Sequence, residues 1–119
     1  MSRILTGMRP TGRMHIGHYL SFMLSAIVLQ EKHDCYFLVA DLHVLTTGYE
    51  KTAEIKDNIL QMVADWLAAG MNPTKSTIFI QSEVPIHFNL YLAFSMITPT
   101  GWLERNPTVK DMIRDLSLN

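Results

Sequence analysis

Hydrophobic residues along the chain follow two spacings, one typical of buried strands and one typical of amphipathic helices. Continuous apolar runs of strand length predict strands at 4–7, 35–40 and 77–81. Apolar residues recur every three or four positions over 15–32, 52–69 and 85–97, which predicts three helices. The predicted order is therefore βαβαβα. The strands are expected to be parallel, because buried parallel strands lack the alternation of half-exposed ones.

Glycine and proline mark where these elements end. Gly70 predicts the end of the second helix, and Asn72-Pro73-Thr74 predicts a turn before the third strand. The segment 41–49 is expected to be a loop, and 106–119 has a charged, amphipathic character. Short right-handed connections between such elements predict an α/β fold with a partial Rossmann-type parallel sheet. Ligands are then expected beyond the carboxyl ends of the strands.

Composition limits the size, the partners and the cellular compartment expected for this domain. A length of 119 residues has room for one domain, and a hydrophobic fraction of 48% predicts that part of its surface contacts further protein. The net charge of −1 and the mixed charge pattern do not indicate an autonomous nucleic-acid binder. No apolar run reaches the ~20 residues that a membrane span needs, and no signal sequence is recognisable. With Cys35 as its one cysteine, we expect a buried, reduced thiol in a cytoplasmic protein.

The segment between the first strand and the first helix carries groups suited to phosphate. Gly7 and Gly12 bound a turn that Pro10 stiffens, so a ligand can approach bare backbone. His15 and His18 are three apart and are expected to share one face of the first helical turn, beside the positive end of the helix dipole. Glycine between them, at position 17, leaves room for a nucleoside. This arrangement predicts binding of the polyphosphate of ATP.

Two other kinds of phosphate or metal site fit the same segment less well. A Walker-type loop needs Lys followed by Ser or Thr where this chain has Arg13-Met14. A zinc site is not expected, since no third ligand cluster lies near the His-x-x-His pair and most structural zinc sites use several cysteines. The remaining alternative is that the two histidines only cap or pack at the helix start.

The tetrapeptide His15-Ile16-Gly17-His18 resembles the signature of class I aminoacyl-tRNA synthetases. The loop before it, residues 7–12, is similar to that of the tryptophanyl-tRNA synthetase family. Segments 39–43, 81–87 and 101–108 agree with the same family in order and separation. The resemblance implies activation of tryptophan by ATP to tryptophanyl-adenylate, followed by transfer of the aminoacyl group to tRNA(Trp).

The resemblance also implies roles for particular residues. His15 and His18 would be catalytic, donating hydrogen bonds to phosphate oxygens. The residues implied in ATP binding are Arg9, Pro10, Thr11, Gly12, His15, Gly17 and His18. Those implied in tryptophan binding are Leu5, Gly7, Val39, Ala40, Asp41 and His43. Further candidates are Gln81, Glu83, Arg105 and Lys110.

Several of these residues have a simpler alternative role. Arg9, Arg105 and Lys110 could be solvated surface cations. Asp41 could cap its own loop, and Glu83 could begin the following helix, where a carboxylate is favoured.

The family's other requirements lie outside this sequence. Neither Lys-Met-Ser-Lys-Ser, the second class I signature, nor the indole-selecting helix is found in it. We therefore expect residues 1–119 to be the N-terminal part of the catalytic domain, without its second half or the anticodon-binding domain, and to be inactive or very weak alone. The resemblance implies ATP with Mg²⁺ as the substrate complex, a homodimer in the complete enzyme and no structural metal. The alternatives are a nucleotidyltransferase of the wider histidine-signature superfamily and a catalytically inactive interaction fragment.

Overall fold

The structure is a computed structural model that describes residues 2–117, apart from the side chains at 47 and 51. Two compact units divide the described residues, the first ending at Pro85 and the second beginning at Ile86. The first unit contains all the strands that the described residues form, and the second is helical.

The first unit is built on a parallel sheet. Its described strands are β1 (Arg3–Met8), β2 (Asp34–Val39) and β3 (Ser76–Ile80), in the order β1-β2-β3. In the register of the sheet, Met8 is the partner of Val39, which is the partner of Ile80. All three predicted strands are confirmed, and so is the α/β fold class. The second and third strands each begin and end one residue earlier than expected.

The helix after β1 is not one uniform α-helix. It consists of α1 (Ile16–His18), a π-helical segment (Tyr19–Met23) and α2 (Leu24–Leu29). The sequence predicted a single helix over 15–32, so the structure shortens it at both ends and changes its winding. Apolar spacing does not distinguish a π turn from an α turn of this length, and π segments are frequent at functional sites.

The segment 41–49, predicted as a loop, is helical. It forms α3 (Asp41–Gly48), and a 3-10 segment (Tyr49–Glu54) leads from it to α4 (Ile55–Ala69). The prediction was wrong because the threonines and glycine of this stretch have low helix propensity. Burial of Val44 and an acidic side chain in the first turn, Asp41, favour the helix instead.

Gly70 ends α4 as predicted. Its φ of 113° lies in the left-handed region that glycine adopts readily. Gln30, at the end of α2, packs against this turn with 6% of its surface exposed. Its Nε2 donates to the Gly70 carbonyl at 3.0 Å, and its Oε1 accepts from the Asn72 N–H at 2.8 Å. One buried amide therefore joins the two helix ends that flank the sheet.

The core of the first unit lies on one face of the sheet. Phe37 and Val39 of β2 pack there with Met62 and Trp66 of α4, and all four are fully buried. Cys35 belongs to the same cluster and is 0% exposed. Burial raises the pKa of the Cys35 thiol, and the neighbouring Asp34 carboxylate raises it further. The expectation of a buried thiol is confirmed, and the raised pKa disfavours the reactive thiolate.

The second unit consists of short helices without a buried interior. They are α5 (Pro85–Ile97), which begins at the last residue of the first unit, α6 (Thr100–Glu104) and α7 (Pro107–Asp115). The Asn106 side chain caps α7 by accepting from the Thr108 N–H at 2.9 Å. None of the residues of these helices is buried. Within residues 2–117, no helix combines the length and the apolar character needed to cross a membrane.

Candidate functional site

The segments that follow the strands of the first unit meet at the carboxyl edge of the sheet. β1 leads into the loop 9–15, β2 into α3, and β3 into a 3-10 turn (Gln81–Glu83). The Ala40 N–H donates to the Met8 carbonyl at 2.8 Å, and this hydrogen bond links the chain segments at the ends of β1 and β2. This edge is where the sequence predicted the ligand site, and the placement of all three segments there is confirmed.

The loop after β1 is held by its own backbone. The Thr11 N–H donates to the Arg9 carbonyl at 2.9 Å, and Gly12 has a φ of 136° that other residues adopt only with strain. Arg9 and Thr11 are exposed, as ligand-contacting residues must be. Pro10, also predicted at the ATP site, is instead fully buried. Burial of this side chain packs the loop against the rest of the first unit.

His15 and His18 cap the start of the helix reciprocally. His15 is the N-cap residue, and its Nδ1 accepts from the Gly17 N–H at 3.1 Å. The His18 Nδ1 in turn accepts from the His15 N–H at 3.4 Å. The two rings stack with centroids 3.7 Å apart and planes 25° apart. The capping role that the sequence left as an alternative to phosphate binding is present, and the two rings are adjacent, as their spacing predicted.

This cap determines which ring atoms face outward. Because each Nδ1 accepts a backbone N–H, each neutral ring carries its proton on Nε2. Two N–H donors therefore stand side by side at the mouth of the helix, where the helix dipole also favours an anion. A phosphate group has the acceptors to meet both.

The structure gives Gly17 a role different from the one expected from the sequence. A Cβ at this position would lie 2.9 Å from both Cε1 and Nδ1 of His15. The space over the glycine is therefore filled by the His15 ring rather than left for a nucleoside. The Gly17 N–H is also occupied, since it donates to the His15 Nδ1.

The residues predicted to bind tryptophan divide between the two faces of the sheet. Leu5 and Gly7 lie on the face opposite the core, with Leu5 61% exposed. A Cβ on Gly7 would lie 2.1 Å from the Leu38 carbonyl oxygen, so only glycine allows β1 to approach β2 this closely. Val39 and Ala40 are buried, at 0% and 8% exposure. The Val39 side chain belongs to the core and supports the edge from behind.

Asp41 and His43 both contact the turn that follows β3. The Asp41 carboxylate, 9% exposed, accepts from the Ser82 N–H at 3.1 Å. The exposed His43 ring places Nδ1 2.9 Å from the Gln81 Oε1. The contact between Gln81 and His43 was not predicted, because 38 residues separate the two and no local pattern reveals a pair so distant.

The remaining candidates have exposed side chains. Glu83 is exposed in the 3-10 turn, and the next helix begins only at Pro85, so the alternative role of Glu83 as the first residue of that helix is not found. Arg105 follows α6 and Lys110 lies on α7, both exposed in the second unit. Among the described residues, no three His, Cys, Asp or Glu side chains are grouped to hold a metal ion.

Comparison with known proteins identifies the family. The sequence profile described as tRNA synthetases class I (W and Y) matches residues 1–117. The chain belongs to this family. The tryptophan–tRNA ligases of Aquifex aeolicus and Ralstonia nicotianae are each 53% identical to it, over 110 and 114 residues. These matches cover 92% and 96% of the chain but only 28% of each relative, so the chain spans about a quarter of their length.

Solved structures of class I synthetases share the fold. The Campylobacter jejuni tryptophanyl-tRNA synthetase complexed with ADP and tryptophan matches with a TM-score of 0.86 and 34% identity, over 97% of this chain and 35% of its own. The Archaeoglobus fulgidus tyrosyl-tRNA synthetase complexed with tyrosine has a TM-score of 0.73 and 23% identity, over 87% of this chain and 34% of its own. The described part of the class I fold therefore includes the signature histidines and the edge they occupy.

Proposed function

We propose that the chain is the N-terminal part of the catalytic domain of a tryptophan–tRNA ligase. In the complete enzyme it would bind tryptophan and ATP with Mg²⁺, form tryptophanyl-adenylate and charge tRNA(Trp). The observation that carries the proposal is the reciprocal cap of His15 and His18, which presents two Nε2–H donors at the carboxyl edge of the sheet. Identity of 53% to two tryptophan–tRNA ligases supports the choice of amino acid.

The proposed chemistry needs charge stabilisation rather than a general base. The tryptophan carboxylate is already ionised near neutral pH. One of its oxygens forms a bond to the α-phosphorus of ATP. The bond from the α-phosphorus to the oxygen that bridges the α- and β-phosphates breaks, and pyrophosphate leaves with that electron pair. Negative charge increases on the phosphate oxygens on the way, where His15 and His18 can donate through Nε2.

The accessible residues of the edge are assigned to the two substrates of that reaction. Arg9, Thr11 and Gly12 lie on the loop next to the histidines and are proposed to contact ATP. Leu5 and Gly7 on the open face of β1, with His43 on α3, are proposed to contact tryptophan. Pro10, Val39 and Ala40 support these groups from buried positions. Arg105 and Lys110 stay candidates for phosphate contacts.

The proposal extends to the partners of the complete enzyme. tRNA(Trp) is the acceptor, and the proposed location is the cytoplasm, where translation uses its product. A homodimer is also proposed. Its support is the exposed apolar surface of α5, where Phe88, Tyr91 and Phe94 are each more than half exposed.

Titration of the isotope-labelled chain with ATP and Mg²⁺, followed by amide and histidine NMR, tests the proposal. Saturable shifts are expected at Gly12, Gly17 and both signature histidines, with weak affinity because most of the relatives' length is not part of this chain. His18→Ala should weaken binding about tenfold or more, the value of a hydrogen bond to a charged group. Tryptophan should shift Leu5, Gly7 and His43, whereas tyrosine should not.

His33→Ala is the matched control for this titration. His33 lies at the amino end of β2 and bonds to the Ser2 hydroxyl through Nδ1 at 2.8 Å, so its loss should leave ATP binding unchanged. Equal effects of the two histidine variants, or no response to ATP at millimolar concentration, would refute the proposal. In the complete enzyme, tryptophan-dependent ATP–pyrophosphate exchange separates a ligase from a nucleotidyltransferase. Charging of tRNA by this chain alone, at the rate of an intact ligase, would contradict its assignment as a part.

A further inference from the structure

His43 differs from the signature histidines in the atom that its Nδ1 faces. The rings of His15 and His18 turn Nδ1 to backbone N–H donors. The ring of His43 instead turns Nδ1 to a side-chain oxygen, the Gln81 Oε1 at 2.9 Å. With the Gln81 amide oriented so that Oε1 faces the ring, this hydrogen bond requires the proton to be on the His43 Nδ1. The neutral ring then has an unprotonated Nε2.

The position of Gln81 is itself fixed by Asp41. Gln81 begins the 3-10 turn after β3, and the Ser82 N–H next to it donates to the buried Asp41 carboxylate at 3.1 Å. Asp41 and His43 lie two residues apart on α3. The contacts therefore close a ring from Asp41 through the Ser82 backbone and the Gln81 side chain to His43. Both ends of this ring are attached to one helix, so two hydrogen bonds connect the turn to α3.

We propose that Asp41 and Gln81 are positioning residues that hold His43 as the Nδ1–H tautomer, so that its exposed Nε2 accepts a hydrogen bond from an N–H of the amino-acid substrate. The inference rests on the proposed function for the identity of that substrate. Histidine side chains then act as both hydrogen-bond donors and acceptor in the site. His15 and His18 donate to phosphate oxygens, and His43 accepts from the amino acid. Both the ammonium group and the indole N–H of tryptophan have the required chemistry.

Long-range ¹H–¹⁵N spectra of the histidine-labelled chain, recorded without ligand at about pH 8 where imidazole is neutral, test the tautomer directly. His43 is expected to show the Nδ1–H form, whereas His15 and His18 should show the Nε2–H form in the same spectrum. An exposed imidazole without partners favours Nε2–H, so the His43 signature is not the default. Observation of Nε2–H at His43 would overturn the inference, whether or not the chain binds tryptophan.

Variants test whether Asp41 and Gln81 set this signature. Gln81→Ala and Asp41→Ala should both return His43 to Nε2–H, whereas Asp41→Asn keeps an acceptor for the Ser82 N–H and should preserve Nδ1–H. Ser82→Ala retains the backbone donor and should have no effect. Asp65→Ala is the matched control, because Asp65 accepts from the Gln61 amide at 3.1 Å elsewhere on α4. An unchanged His43 tautomer in Gln81→Ala would count against the proposed roles.

Ligand analogues identify the substrate group. Tryptophan should shift the His43 Nε2 resonance, and Gln81→Ala should weaken its binding about tenfold, the loss expected for one charge-assisted hydrogen bond. If the ammonium is the donor, 1-methyltryptophan keeps the shift and indole-3-propionate loses it, and the reverse pattern identifies the indole N–H. If tryptophan shifts Leu5 and Gly7 but leaves the His43 Nε2 unmoved, the acceptor role is wrong while the proposed function stands. If tryptophan shifts nothing, the proposed function fails and the tautomer result still stands by itself.

Discussion

The three histidines at the edge of the sheet show how neighbouring atoms give one residue type different hydrogen-bonding states. Each ring uses Nδ1 for an internal hydrogen bond, and the partner of Nδ1 decides whether Nε2 donates or accepts. The sequence predicted that His15 and His18 lie side by side, because their spacing and the glycine between them are local, and the structure shows the two rings stacked. The sequence did not pair His43 with Gln81, because the two residues are 38 positions apart.

Gly17→Ala tests whether the cap orients the signature histidines. The added methyl would lie 2.9 Å from the His15 ring, so the ring must leave the Gly17 N–H and its stacked position over His18. Loss of the cap should cost about 1 kcal/mol of stability, and ATP affinity should fall by about tenfold as one donor is misplaced. Urea unfolding and the ATP titration measure the two effects.

Gly101→Ala is the control for this substitution. A Cβ there meets nothing within 4 Å, and alanine is a better helix former than glycine by up to about 1 kcal/mol. The change should leave ATP binding unchanged and stability equal or higher. Should Gly17→Ala bind ATP as tightly as the parent chain, the orienting role of the cap would be excluded.

At the scale of elements, apolar spacing located the strands and helices better than it described them. The helix after β1 contains a π segment that a 3.6-residue period does not reveal. The helix α3 was missed because its residues have weak intrinsic preference, and the contact that holds its first turn, from Asp41 to Ser82, comes from a distant part of the chain. Elements stabilised mainly by tertiary contacts are the ones that local patterns miss.

Gln30→Ala tests the amide that joins the ends of α2 and α4. The substitution leaves the Gly70 carbonyl and the Asn72 N–H without their partner in a part-buried site. Unfolding free energy should fall by about 1–3 kcal/mol, the cost of unsatisfied buried polar groups. Urea denaturation followed by circular dichroism provides the measurement.

Gln61→Ala offers a comparison for this change. Gln61 makes one exposed hydrogen bond to Asp65 on the same helix, and exposed substitutions of this kind usually change stability by less than about 0.5 kcal/mol. If both glutamine variants lose the same unfolding free energy, the buried hydrogen bonds of Gln30 stabilise the protein no more than the exposed one of Gln61.

At the scale of the whole molecule, the two units differ in what stabilises them. The first has a core centred on β2 and α4, in which Trp66 and Phe37 are fully buried. The helices of the second contain no buried residue. Short helices without a packed face are marginal in water, and local stability follows burial.

Amide hydrogen exchange should therefore separate the units. Amides of β2 and α4 should exchange slowly, near the rate set by global unfolding, whereas those of α6 and α7 should exchange orders of magnitude faster. Mass spectrometry of peptides after timed exchange measures the difference. Uniform protection across residues 2–117 would show that the second unit is stabilised as strongly as the first.

The sequence by itself determined the α/β class, the three strands and the helix mouth with its two histidines, because each depends on local spacing and on glycine. Tertiary structure decided which side chains reach the site. Pro10 and Val39, for which the family resemblance implied ligand binding, have buried side chains. Asp41 and His43 form hydrogen bonds to the turn after β3. The physical reason is that parallel strands align their carboxyl ends across large sequence separations. Contacts made there have no signature in the residues near either partner.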